Sequence, residues 1–158
     1  MKAKKREIQV TINGRPLTTE IATNSTLQEM LKHSFALTGT KRSCGRGECG
    51  SCTVIMDGQS VNACLTLAVE CDGSEITTIE GESQEGELSS LQRAFVDHGA
   101  VQCGFCTPGM IMSAKALLAG NSDPDREEIV DAISGNLCRC TGYEAIIDAI
   151  EAAAKEKQ

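Results

Sequence analysis

The sequence predicts an α+β chain in two parts, a small β-sheet carrying one helix followed by a bundle of four short helices. Apolar and polar residues alternate through several stretches of the first 80 positions, as half-buried strands require. The segment Glu80-Gly81-Glu82-Ser83-Gln84-Glu85-Gly86-Glu87 holds no apolar residue, and beyond it the apolar spacing becomes helical. The length of 158 residues suits one ordinary domain or two small ones packed together, not a large catalytic domain.

The elements follow in order. Ile8, Val10 and Ile12 share one face, Asn13-Gly14 supplies a type I′ turn, and residues 17–21 return as the partner strand. Ser25 or Thr26 caps a helix whose apolar positions are Leu27, Met30 and Leu31, with Ser25 and Gln28 as the expected capping box. After a Gly-rich segment, residues 53–56 and 59–62 flank Asp57-Gly58, a second hairpin signal, and residues 75–79 read as a last strand. The helical part places Leu88, Leu91 and Phe95 on one face, then Met110, Ile111, Ala114, Leu117 and Leu118 behind Pro108. Ile129, Ala132 and Ile133 follow Pro124, and Ile146, Ile147, Ala149 and Ile150 close the chain. Proline at the first helical position and a Thr141–Glu144 capping box set the expected starts. The expected division is a sheet domain over residues 1–80, a linker over 81–87 and a bundle over 88–158.

Composition removes several function classes. Hydrophobic residues make up 41% and charged residues 23%, the balance of a folded globular chain. Aromatic residues are only 3%, so aliphatic side chains must form the cores. A net charge of −7 argues against nucleic acid, because no basic stripe is present to displace counterions from phosphate. Lys2, Lys4, Lys5 and Arg6 read as a solvated tail ahead of the first strand. No run approaches the ~18 apolar residues of a membrane span. Nine cysteines are therefore read for a reduced, cytoplasmic protein, as metal ligands before disulfides.

Cys44, Cys49 and Cys52 form C-x4-C-x2-C, and Cys64 follows, the plant-type ferredoxin spacing for a 2Fe–2S cluster. Such a cluster is anionic and needs backbone N–H groups turned towards its sulfurs, which Gly45, Gly47 and Gly50 permit. Zinc prefers paired C-x2-C knuckles, which this loop lacks; two disulfides are the other competing reading. Cys103, Cys106, Cys138 and Cys140 form C-x2-C followed at a distance by C-x-C. The spacing alone leaves four-cysteine zinc open beside a second iron–sulfur site. Thr107-Pro108 starts a helix directly after Cys106, so the positive end of that helix faces the site. Cys71 has no partner by spacing and reads as a small buried hydrophobe. His33 and His98 sit beside no ligand cysteine, which removes a Rieske centre, and read as surface or capping residues. The glycines at 45, 47 and 50 lack the strand and long helix of a dinucleotide-binding unit. No nucleophile with a base and no paired carboxylates form a catalytic constellation on this chain.

The three segments around these cysteines, Cys44-Gly-Arg-Gly-Glu-Cys-Gly-Ser-Cys-Thr-Val, Val101-Gln-Cys-Gly-Phe-Cys-Thr-Pro-Gly-Met-Ile and Gly135-Asn-Leu-Cys-Arg-Cys-Thr-Gly-Tyr, closely resemble the iron–sulfur subunit of the xanthine oxidase family of molybdenum hydroxylases. The likeness runs from about residue 8 to residue 153 with every ligand position present. It implies a ferredoxin-like β-grasp domain and a four-helix-bundle domain, each with one 2Fe–2S cluster. It further implies an electron-transfer role between a large subunit holding molybdopterin and a medium subunit holding FAD, in a heterotrimer or a dimer of heterotrimers. By the resemblance the cluster on Cys103, Cys106, Cys138 and Cys140 is proximal to the pterin, and that on Cys44, Cys49, Cys52 and Cys64 is distal and feeds FAD. Gln102 and Cys140 match the positions that approach the pterin; the plainer reading of Gln102 is a polar loop residue satisfying nearby backbone. A purine or other N-heterocycle is the expected substrate, with aldehyde, carbon monoxide or aromatic acyl-CoA as alternatives. A free two-cluster ferredoxin and a zinc-stapled adapter are the competing functions.

Overall fold

The computed structural model describes residues 4–83 and 86–156; Lys2 of the basic start and positions 84–85 of the expected linker lie outside the described residues. Strands β1 (Lys5–Ile12) and β2 (Arg15–Ala22) pair antiparallel in register from Lys5↔Ala22 to Ile12↔Arg15. Asn13 and Gly14 both take positive φ, 52° and 75°, the conformation a two-residue I′ turn demands. β3 (Thr53–Met56) and β4 (Gln59–Asn62) form the second hairpin around Asp57 and Gly58, at φ 51° and 82°. Between the hairpins runs β5 (Glu75–Thr77), parallel to β1 and antiparallel to β3, giving the order β2-β1-β5-β3-β4.

Both turn residues also hold the central strand. The Asp57 carboxylate accepts from Glu75 N–H, and Asn13 accepts from Thr78 N–H while its amide donates to Thr78 Oγ1. These contacts explain why β5 ends at Thr77, short of the expected residue 79. The Thr78 N–H goes to a side chain rather than to a neighbouring strand, and a 3-10 turn follows at Ile79–Gly81.

Helix α1 (Leu27–Phe35) lies over the sheet, and Leu27, Met30 and Leu31 join Ile8, Val10, Ile12, Val54 and Ile76 in the first core. Its capping box is Thr26 with Glu29, one residue later than the expected Ser25 with Gln28. Thr26 is fixed there by a bridge to Leu67, and Gln28 is buried with its amide directed to the Thr40 carbonyl.

The helical part contains α2 (Ser90–Asp97), α3 (Thr107–Gly120), α4 (Arg126–Ile133) and α5 (Glu144–Glu156). Leu91, Phe95, Ile111, Ile129, Ile146 and Ile150 anchor a second core. The expected start shifts in each of the four helices. Ser89 with Gln92 boxes α2, so Leu88 falls before the helix and is exposed. Asp125 with Glu128 boxes α4, leaving Pro124 outside it, and Pro108 is the second residue of α3. Thr141 does not box α5: its hydroxyl turns to Cys138, and Glu144 reaches Arg126 at 2.6 Å.

Helix α3 is buried on most sides, since it packs on the other helices and also on β3 and β4. Its Gly109 lies so close to the Gly50 carbonyl that a Cβ there would collide with it. The buried Asn136 closes the same seam. Its amide donates to the Gly50 carbonyl at 3.0 Å and its oxygen accepts from Ser113 Oγ at 2.8 Å. Lys115 adds an ion pair at 2.6 Å to the buried carboxylate of Glu82. Asn136→Ala strands the Ser113 hydroxyl and removes a donor from Gly50. Burying unmatched polar groups costs about 1–3 kcal/mol, and the thermal midpoint followed by far-UV circular dichroism is expected to fall accordingly.

Candidate metal centres

The loop before β3 is wound by three left-handed glycines, Gly45, Gly47 and Gly50, at φ 67°, 79° and 63°. This winding turns the Arg46 and Glu48 N–H groups onto Cys44 Sγ, each at 3.4 Å. The side chain of Leu65, next to Cys64, lies over Gly47 in the space its Cβ would take. Asn62 completes the wall, donating to the Gly47 carbonyl at 3.3 Å and lying 3.9 Å from Cys52 Sγ. The four sulfurs meet as neighbours. Arg46 N–H, helped by the Cys49 thiol and Glu48 N–H, pulls Cys44 down to about 6. Burial pushes Cys52 up to about 12, with the adjoining Cys64 and Cys49 sulfurs adding to it.

The second group forms where the start of α3 meets the α4–α5 loop. Cys106 is the N-cap residue of α3, so the positive end of that helix lies at the site, although Thr107 N–H is taken by the Gly104 carbonyl and Pro108 has no N–H to offer. Cys103 and Cys140 are exposed, with their sulfurs 3.7 Å apart. Cys106 and Cys138 form the inner pair: burial pushes Cys106 up to about 12, and its contact with Cys138 adds to this. Burial of Cys138 is outweighed by donors from the Thr141 hydroxyl and the Cys140 and Thr141 amides, which bring it down to about 7. Tyr143 braces the loop, its hydroxyl accepting from Cys138 N–H at 2.8 Å and donating to the Asn136 carbonyl at 3.3 Å.

The expected sites therefore gather as two sets of four, each built of thiol pairs. Among the described residues no three His, Cys, Asp or Glu side chains converge on a single-ion position. Pairs are what a two-iron core needs, since each iron takes two protein thiolates, whose sulfurs then sit ~3.7 Å apart at tetrahedral angles. The N–H groups directed at Cys44 and the Thr141 N–H and hydroxyl directed at Cys138 are donors of the kind an anionic core requires. A cavity of about 450 Å3 joins the sets, lined by Cys49 and Ser51 from one and Cys103, Cys106, Cys138 and Cys140 from the other. Leu137 N–H donates to the Cys49 carbonyl at 3.0 Å across the same boundary.

Other sequence readings find their places. Cys71 is fully buried in the sheet core, 3.8 Å from Met56 Sδ, and burial pushes it up to about 11. His33 is exposed in the last turn of α1, and His98 is the C-cap residue of α2. Gln102 is exposed, and among the described residues no hydrogen bond engages its side chain. Asn62 and Asn136 escape the sequence reading because their partners are set by the fold, and Thr141, expected as a cap for α5, faces Cys138 instead. Tyr143 carried a signal, being the chain's only tyrosine and lying three residues past Cys140.

A two-cluster iron–sulfur protein is the class this fold and these sites define. Residues 10–78 match the family described as a 2Fe-2S iron-sulfur cluster binding domain, and residues 78–151 match a [2Fe-2S] binding domain. The small subunit of nicotine 6-hydroxylase from Paenarthrobacter nicotinovorans is 51% identical over 91% of this chain and 87% of its own length. The small FeS subunit of nicotinate dehydrogenase from Eubacterium barkeri is 49% identical over 92% and 93%. A chain of quinoline 2-oxidoreductase from Pseudomonas putida 86 superposes with a TM-score of 0.94 at 48% identity, covering 97% of this chain and 96% of that one. The chain belongs to the iron–sulfur subunits of the xanthine dehydrogenase family of molybdenum hydroxylases, and it carries two 2Fe–2S clusters. The zinc readings fall with that result.

Cys71→Ala is expected to retain all four irons and the visible absorbance of the wild-type chain, because this thiol only fills core volume. Alkylation at pH 7 is expected to spare Cys71 in the folded protein, since a thiol held near 11 presents almost no thiolate there.

Proposed function

We propose that the chain conducts electrons singly from a molybdopterin-holding large subunit, through the cluster on Cys103, Cys106, Cys138 and Cys140 and then that on Cys44, Cys49, Cys52 and Cys64, to FAD on a medium subunit. Each 2Fe–2S core supplies a reversible one-electron store. The observation that carries this reading is the asymmetry of exposure. Cys103 and Cys140 lie open beside the exposed apolar residues Val101, Phe105 and Leu137, whereas Cys49 and Cys52 are buried. An open thiolate pair ringed by apolar side chains suits a permanent partner surface rather than water. Gln102 and Cys140 lie on this open edge, consistent with their approach to the pterin. The Leu137–Cys49 hydrogen bond gives the two sites a direct contact for onward transfer.

The division at residues 81–87 fits the 3-10 turn and ion pair that end the sheet region. The family resemblance supports a heterotrimer or a dimer of heterotrimers, and a cytoplasmic location fits nine cysteines with no disulfide among them. Among the described residues no helix is long and apolar enough to cross a membrane. The substrate of the complex is an N-heterocycle, by likeness to chains whose names refer to nicotine, nicotinate and quinoline.

The order of the clusters is tested by single substitutions in the purified complex, with circular dichroism checking the fold. Cys49→Ser is expected to leave one EPR signal that substrate still reduces, and Cys138→Ser to block reduction of the remaining cluster. Loss of both substrate-reduced signals in a folded Cys49→Ser complex contradicts the order. Loading carries its own pH dependence. Cys52 and Cys106, held near 12, must lose protons to bind iron, whereas Cys44, near 6, is already ionised at neutrality. Because the thiolate fraction of such high-pKa groups rises about tenfold per pH unit, anaerobic reconstitution is expected to accelerate steadily from about pH 7 to about pH 9. Visible absorbance follows the rate.

A further inference from the structure

The loop after Cys138 contains an arrangement that holding iron does not by itself require. Thr141 Oγ1 lies 3.1 Å from Cys138 Sγ, and the Thr141 N–H points to the same sulfur at 3.5 Å. Tyr143 N–H donates to Thr141 Oγ1 at 3.3 Å, so the oxygen's acceptor role is filled and its proton is directed at the sulfur. Gly142 and Tyr143, both at positive φ (66° and 71°), fold the chain back to make this possible. A non-glycine residue held there is an uncommon conformation, and the Tyr143 hydroxyl, bonded to Cys138 N–H and to the Asn136 carbonyl, holds it in place. Among the described residues Thr141 is the one hydroxyl that donates to any of the cysteine sulfurs. The cost to local order is evident, because Thr141 gives up the cap of α5 that its position and Glu144 would otherwise supply.

We propose that the Thr141 hydroxyl is a positioning residue that sets the reduction potential of the bundle cluster through its hydrogen bond to Cys138 Sγ. One-electron reduction adds negative charge to the core and its thiolates. A donor on a ligand sulfur stabilises that reduced state more than the oxidised one and so raises the potential. The effect is confined to one cluster, because Thr141 makes no contact of this kind with Cys44, Cys49, Cys52 or Cys64.

The inference rests on Cys138 as an iron ligand, and iron content separates the two claims. A folded Cys138→Ser chain that loses no iron overturns the ligand assignment itself. The inference is tested by EPR-monitored redox titration of the iron-loaded chain carrying Thr141→Val or Thr141→Ser. The expected result is a lower midpoint for the bundle signal in Thr141→Val, an unchanged midpoint for the other signal, and return to the wild-type value in Thr141→Ser. An unmoved bundle midpoint, an equal shift of both clusters, or no recovery with serine overturns it. Thr141→Ala substitutes where valine does not load. If neither variant retains the cluster while serine does, Thr141 only holds the loop, and the proposal is equally overturned.

Discussion

Everything in this molecule converges on one carbonyl. Gly50 O accepts from Thr53 N–H, Thr53 Oγ1 and the Asn136 amide, and the backbone of α3 passes against it at Gly109. Gly50 lies between Cys49 and Cys52, while Asn136 lies two residues before Cys138, so the contact that joins the halves also joins their cysteine loops. The two cores are separate and mostly aliphatic, and neither is large. Small cores of this kind gain much of their stability from bound metal, because a preformed thiolate site does not exist in the unfolded chain. The seam and the clusters therefore stabilise one another, since iron fixes the loops whose backbone groups make the seam.

How much of this the sequence showed depended on the distance over which each feature is decided. Asn13-Gly14 and Asp57-Gly58 are local, and both appeared as expected because two residues with positive φ determine a hairpin register without outside help. The caps were less legible. Ser25, Thr26 and Thr141 all have a capping side chain, and the choice among them was made elsewhere, by the bridge from Thr26 to Leu67 and by the sulfur that claims Thr141. The grouping of Cys44, Cys49 and Cys52 was legible because their spacing is decided within one short loop. Asn136 was not, because an asparagine announces no partner and its acceptor lies 86 positions away.

The two sites divide their sulfurs alike yet differ in what surrounds them. In the ferredoxin-like half, backbone N–H groups on a glycine-wound loop supply the donors, and Leu65 and Asn62 close the wall. In the bundle half a threonine hydroxyl joins backbone N–H groups on the inner Cys138, while the outer pair is left open. Backbone donors depend little on side-chain identity. A hydroxyl, by contrast, can be gained or lost by a single substitution.

The same contrast explains why a chain so similar to this one occurs with partners named for nicotine, nicotinate and quinoline. Glycine winding, thiol pairing and the Gly50 seam are constraints on holding two clusters, and they are decided inside this chain. Selection for a new substrate can therefore act on the chain that touches it while leaving this fold intact. The exposed apolar residues Val101, Phe105 and Leu137 and the hydroxyl of Thr141 lie outside those constraints.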